Sequence, residues 1–177
     1  MEARAPVRPA ARDLDQVVLR RELREGDRDA IVELHQRIYP AGYGVAQSFV
    51  DDVASSLDGA IERGWPERPG EGVWIVERDG EICGCLALSD EGGGEGRVRF
   101  FLLSPDVRGR GLGRRMLDEL MVLARGADYR LLTLATFDEL TVAASMYRSH
   151  GFRIVREERG PRWGRERFNY QHYELEL

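Results

Sequence analysis

Lysine is absent from this 177-residue chain; all 26 basic side chains are arginine. Uniform arginine usage reads as a base-composition bias of the genome. It also excludes the Walker phosphate loop, which needs a Lys-Ser/Thr pair after its last glycine. Only two cysteines occur, Cys83 and Cys85. Two ligands do not make a structural zinc site, and neighbours this close in a strand do not bridge easily. With alternation along a strand they are expected on one face, as small buried hydrophobes of a reduced protein. No apolar run is long enough to span a bilayer. The stretch Met1 to Arg12 is rich in Ala, Arg and Pro and lacks the apolar centre of a signal peptide. No metal-ligand cluster and no Ser/His/Asp spacing stands out. A formal net charge of -5 argues against nucleic acid as a main partner. What remains is a cytoplasmic protein of one domain, with no membrane or nucleic-acid partner expected and no metal.

The most informative stretch runs from Arg99 to Gly113, RFFLLSPDVRGRGLG. An apolar run, Phe100 to Leu103, ends at Ser104-Pro105. The turn Arg108-Gly109-Arg110-Gly111-Leu112-Gly113 follows, and a helical stripe of Leu112, Met116, Leu117, Leu120, Met121 and Leu123 begins. Glycines let a backbone approach a ligand, and a helix N-terminus offers unpaired N–H groups at the positive end of its dipole. A phosphate-bearing ligand is expected there. The dinucleotide fingerprint G-x-G-x-x-G fails, because its third glycine would fall on Arg114. The pattern left is Arg-x-x-Gly-x-Gly, at Arg108, Gly111 and Gly113.

Along the chain, strands are expected over Gln16–Leu23, Val73–Glu77, Glu81–Leu88, Val98–Leu103, Arg130–Thr136, Phe152–Glu157 and Phe168–Leu177. Helices are expected after an Asp27 cap to a break at Pro40, over about Gln47–Arg63, from the glycine turn to about Arg125, and from an Asp138 cap to Gly151. Arg78-Asp79-Gly80 reads as a hairpin turn, and Glu91–Gly96 as a flexible connection. The order is βααβββαβαββ.

A second motif, Ala143-x-x-x-Tyr147-x-x-x-Gly151-Phe152, lies downstream of the glycine turn. Together the two resemble the signature of the GNAT superfamily of acetyl-CoA-dependent N-acetyltransferases, and the likeness runs from about Val17 to Leu177. It looks closest to the acetyltransferase half of bacterial MarR–GNAT fusion proteins, without the MarR part. His35, Tyr39, Tyr43-Gly44, Thr136–Leu140 and Tyr173–Leu177 echo that subgroup. The resemblance implies an α/β fold with a GNAT-type mixed, mostly antiparallel sheet flanked by helices, over residues 16–177 behind an extended or disordered lead-in, 1–15.

The resemblance also implies a cosubstrate, acetyl-CoA, and sites for it. Its pyrophosphate would meet the turn Arg108, Gly109, Arg110, Gly111, Leu112, Gly113 and Arg114. Its pantetheine arm would lie along Phe101, Leu102 and Leu103. Thr141 stands where the family often carries an asparagine against the pantetheine, and Ala143 and Tyr147 belong to the second motif. Tyr147 would be the general acid that protonates the leaving thiolate. A backbone N–H of the strand would stabilise the tetrahedral oxyanion. The base stays open among Glu33, His35, Asp138, Glu139 and a water chain, whereas His150 and His172 read as structural. The acceptor, a small-molecule or peptide amine, would sit between the first helices, their joint at Tyr39–Gly44, and the last strands with Trp163 and Tyr170. A homodimer through the C-terminal strands is a family expectation. Two rivals remain: a non-catalytic acyl-CoA-binding sensor or interaction module, and a nucleotide-binding protein using the same loop.

Overall fold

The computed structural model describes residues 17–177. The expected lead-in over 1–15 and Gln16 of the first strand lie outside this range. The elements are β1 (Val17–Arg20), α1 (Asp27–Tyr43), α2 (Gln47–Glu62), β2 (Gly72–Arg78), β3 (Glu81–Gly92), β4 (Glu95–Leu103), α3 (Leu112–Gly126), β5 (Leu131–Phe137), α4 (Thr141–Ser149), β6 (Arg153–Arg162) and β7 (Arg165–Glu176), with a 3-10 turn at Pro105–Val107. The seven strands form one sheet in the order β1-β2-β3-β4-β5-β7-β6. Every neighbouring pair is antiparallel except β4 and β5. No helix among the described residues is long and apolar enough to cross a membrane.

The alternation of β2 divides the apolar residues between two cores. Trp74 and Val76 join Met116, Leu117, Leu120, Ala144 and Tyr147 of α3 and α4 on one face. Val73 and Ile75 join Ile31, Leu34, Phe49, Val50 and Leu57 of α1 and α2 on the other. The 3.6-residue spacing of the α3 stripe places Met116, Leu117 and Leu120 fully inside, so the helix is held to the sheet by its buried face.

Several local expectations need correction. Cys83 and Cys85 lie in opposite cores. The β2–β3 ladder passes from Val76↔Gly84 to Glu77↔Ile82, so β3 carries one extra residue and its facing reverses there. Helix α1 runs through Pro40 to Tyr43. The aromatic packing of its last turn holds it: Tyr39 against Phe49 at 4.7 Å and Tyr43 against Phe137 at 5.3 Å. Neither expected acidic cap is one. Asp27 is buried in α1 and accepts two hydrogen bonds from Arg20, at 2.6 and 3.0 Å, while α4 begins after Leu140 without a side-chain cap. The expected flexible segment Glu91–Gly96 is a tight hairpin turn between β3 and β4. Gly92, Gly93 and Gly94 all take positive φ, which side-chain-bearing residues resist. Strands β6 and β7 are likewise longer than expected and meet at a turn through Trp163 and Gly164.

Candidate functional site

Strands β4 and β5 pair only from Glu95↔Leu131 to Arg97↔Thr133. Beyond that they separate, and the edge of β4 from Val98 to Leu103 faces a gap instead of a neighbouring strand. A bulge sharpens the parting. Cys85↔Leu102 is followed by Ala87↔Arg99, three residues of β4 against two of β3, and Phe100 takes φ 53°. The Cys85 thiol donates to the Phe100 carbonyl at 2.8 Å and fixes the bulge. Burial pushes that thiol far up from its ordinary pKa, so it stays a donor.

The glycine turn closes one end of this gap. Gly111 is the N-cap of α3 at φ 77°, with open space where a Cβ would stand, and no side chain caps the helix. The first N–H groups of α3 therefore have no side-chain acceptor. The Arg108 Nε–H donates to the Leu103 carbonyl at 2.7 Å, tying the turn to the strand end. A cleft of about 510 Å³ lies between this turn, β4 and the start of α4. All the residues marked from sequence as cosubstrate-binding line it except Arg110 and Tyr147. Arg110 is exposed and stands outside.

A second cavity, about 270 Å³, adjoins the first; Tyr39, Phe101, Leu140 and Ala143 line both. Its walls come from α1, α2, β4, β5 and the β6–β7 turn, and they include Trp163 and Tyr170. The turn is held over α2 by the Ala46 N–H donating to the Trp163 carbonyl at 2.7 Å and the Trp163 indole donating to Asp52 at 2.6 Å. Tyr147 belongs to the α3/α4 core yet lines this cavity, so the space runs through the opening in the sheet. The Tyr147 ring lies against Phe101, Phe152 and Tyr173 at 5.9–6.0 Å. Burial holds its pKa far above the usual phenol value, with small additions from Tyr39 and Tyr173.

Of the four side chains considered as bases, His35 alone lines the second cavity. Its Nδ1 is 2.8 Å from the Ile31 carbonyl. A carbonyl only accepts, so Nδ1 carries the proton and Nε2 holds the lone pair. Burial lowers the His35 pKa to about 4, against a smaller opposing effect of the Ile31 bond. Glu33 is exposed on α1, away from both cavities; Asp138 is exposed and accepts from the Asn169 amide at 3.2 Å. Glu139 lines the first cleft, paired with Arg165. His150 joins α4 to α3 through Asp118 at 2.7 Å, and His172 bonds Glu158 at 3.1 Å.

Sequence reasoning passed over Arg97, Arg99, Arg162, Asp52 and Ser56, all of which line the second cavity. The Arg-x-Arg alternation in β4 was the available signal, since residues two apart share a face.

The model of the acetyltransferase (GNAT) family matches residues 28–152. The chain belongs to the GNAT acetyltransferase family. It is 34% identical over 88 residues to an IAA acetyltransferase of Azospirillum brasilense, a match covering 49% of this chain and 55% of that protein. It is 24% identical over 145 residues to a 5-NmdU N-acetyltransferase of Pseudomonas phage PaMx11, covering 81% and 92%. Among solved structures, yncA of Salmonella typhimurium, determined with its cofactor acetyl-CoA, superposes with TM-score 0.67 at 17% identity, over 92% of this chain and 95% of that one. The ribosomal-protein-S18-alanine N-acetyltransferase of Escherichia coli gives TM-score 0.66 at 17% identity, over 91% and 94%. At such identities the superpositions speak for the fold of this GNAT-family chain, an α/β fold with a mostly antiparallel sheet. The chain spans about half the length of the Azospirillum relative.

Proposed function

We propose that this GNAT chain transfers the acetyl group of acetyl-CoA to a primary amine by direct attack within a ternary complex. One observation carries the reading: a cleft that ends on an uncapped helix N-terminus opens into a second cavity lined by a buried tyrosine. The first cleft suits coenzyme A. Its glycine turn presents N–H donors to a diphosphate, and Arg108 and Arg114 add charge. The unpaired edge of β4 offers backbone groups to the amides of a pantetheine arm, with Thr141 and Ala143 opposite.

In the second cavity the amine nitrogen attacks the thioester carbon. The C–N bond forms, the C–S bond breaks, and the thiolate takes the Tyr147 proton. The new ammonium loses its extra proton to solvent, and the phenolate recovers one. The raised pKa of Tyr147 keeps it protonated at every working pH, and a sulfur released into the same apolar surroundings is a stronger base than in water. Burial disfavours the imidazolium, so His35 does not hold the proton at neutral pH. Solvent in the open cavity takes that proton, and His35 Nε2 is left as a hydrogen-bond acceptor.

The test is thiol release from acetyl-CoA across a panel of amines, with Tyr147→Phe as the variant. Phenylalanine keeps the ring contacts and removes the donor, so kcat should fall about 10²–10⁴-fold with cosubstrate affinity unchanged. A chain that binds coenzyme A and turns over acetyl-CoA with none of the amines is a sensor, and the proposal is then lost.

A further inference from the structure

Three guanidinium groups line the amine-side cavity, those of Arg97 and Arg99 on β4 and Arg162 at the end of β6, against a single carboxylate, Asp52. Their partners separate them. Arg99 is neutralised by Glu91 at 2.8 Å and bonded to Ser56 and Ser89 at 3.2 and 3.0 Å. Asp52 accepts the Trp163 indole proton. Arg162 lies over the rings of Trp163 and Tyr170, at 4.4 and 4.1 Å, and reaches Glu158 through Nη1 at 3.4 Å. Its Nε is buried, out of reach of the cavity, with no hydrogen-bond partner among the described residues. Unlike the other two, Arg97 makes no ion pair among the described residues; Glu91 feels its charge from beyond ion-pair distance. The Tyr170 phenol lies within the fields of all three arginines, Arg162 foremost.

An unpaired guanidinium fork matches a planar two-oxygen anion. The Arg97 fork lines a cavity sized for a single small molecule, about 270 Å³, with the Arg162 charge stacked on the Tyr170 ring beside it. We infer that the acceptor is a small amine bearing a carboxylate, which Arg97 receives beside Tyr170 while the amine faces Tyr147. The inference rests on the acetyl-transfer reading for the fate of the amine, and on the arginines alone for the anion. Arg97 is thus a specificity-determining residue, and no part in the bond-making step falls to it.

The test pairs amines that differ only in the carboxylate, phenylalanine with phenylalaninamide and leucine with leucinamide. Binding to the chain saturated with coenzyme A is read by calorimetry, and thiol release from acetyl-CoA is read separately. The carboxylate members should bind about ten- to a hundredfold tighter, the value of one charge-assisted contact. Arg97→Gln should remove that preference while leaving the amides where they were, and Arg97→Lys should restore part of it. A merely structural arginine would weaken both members alike. Carboxylates that bind while neither member of a pair releases thiol uphold the anion site and overturn the transfer reading. Equal binding within each pair, thiol release confined to the amides, or turnover of peptides with no free amino acid bound overturns the inference and leaves acetyl transfer standing.

Discussion

Lowering the pH should destabilise this fold through one imidazole, and His35→Phe isolates the effect. Unfolded, His35 titrates near its ordinary 6.5; folded, burial holds it near 4. Below pH 6.5 the unfolded chain gains a proton that the native one refuses, so stability falls with pH until the folded ring also titrates. Each unit of the 6.5-to-4 window is worth about 1.4 kcal/mol, giving about 3 kcal/mol over the whole of it. Carboxylates held below their usual range, such as Asp106 near 2 and Glu91, also drain stability in acid. They are common to wild type and variant, and the difference between the two removes them. Phenylalanine keeps the stack on Tyr39, centroids 5.6 Å apart, and loses the Ile31 hydrogen bond at every pH alike. Urea unfolding of both proteins at pH 7.5, 6.5, 5.5, 4.5 and 4 supplies the measurement. The wild-type advantage should be level above about pH 6.5 and shrink by about 3 kcal/mol by pH 4. A difference that stays flat over this range would mean that cavity water hydrates the imidazolium, and the burial argument fails.

Other outcomes follow from single contacts. Gly111→Asp introduces a carboxylate at a left-handed position, straining the fold by about 1–2 kcal/mol and opposing a diphosphate. Calorimetry should show at least about a tenfold loss of coenzyme A affinity by like-charge opposition, and unchanged affinity would remove the phosphate assignment. Arg20→Ala leaves the buried Asp27 carboxylate without its partner and should cost about 3–5 kcal/mol in urea unfolding, whereas a loss below about 1 kcal/mol would place that pair in water.

The parts of the site that sequence discloses are those made by neighbours in the chain. The turn from Arg108 to Gly113 and the helix after it announce themselves, because backbone conformation and a helix start are local matters of glycine and apolar spacing. The element order follows from the same kind of signal. The β3 and β4 bulges did not, since one extra residue in a strand leaves no mark in an alternation already broken by apolar runs on both faces. Cys83 changed sides for that reason. Helix α1 continued past Pro40 because Tyr39 and Tyr43 find aromatic partners in α2 and β5, which a local rule for proline does not see. The second cavity was least legible in detail. Its Arg97, Asp52 and Arg162 are far apart in the chain and meet only through the sheet and the β6–β7 turn.

That turn has a consequence for how such enzymes diversify. The larger cleft is furnished almost wholly by one continuous quarter of the polypeptide, Phe101 to Met146, whereas the recess beside it is closed by a loop at Trp163 leaning on an early helix. Exchanging a few residues at this loop would remodel what the recess admits without touching the shared half of the chemistry. A lineage could thus change its acceptor in small steps while every intermediate kept its donor.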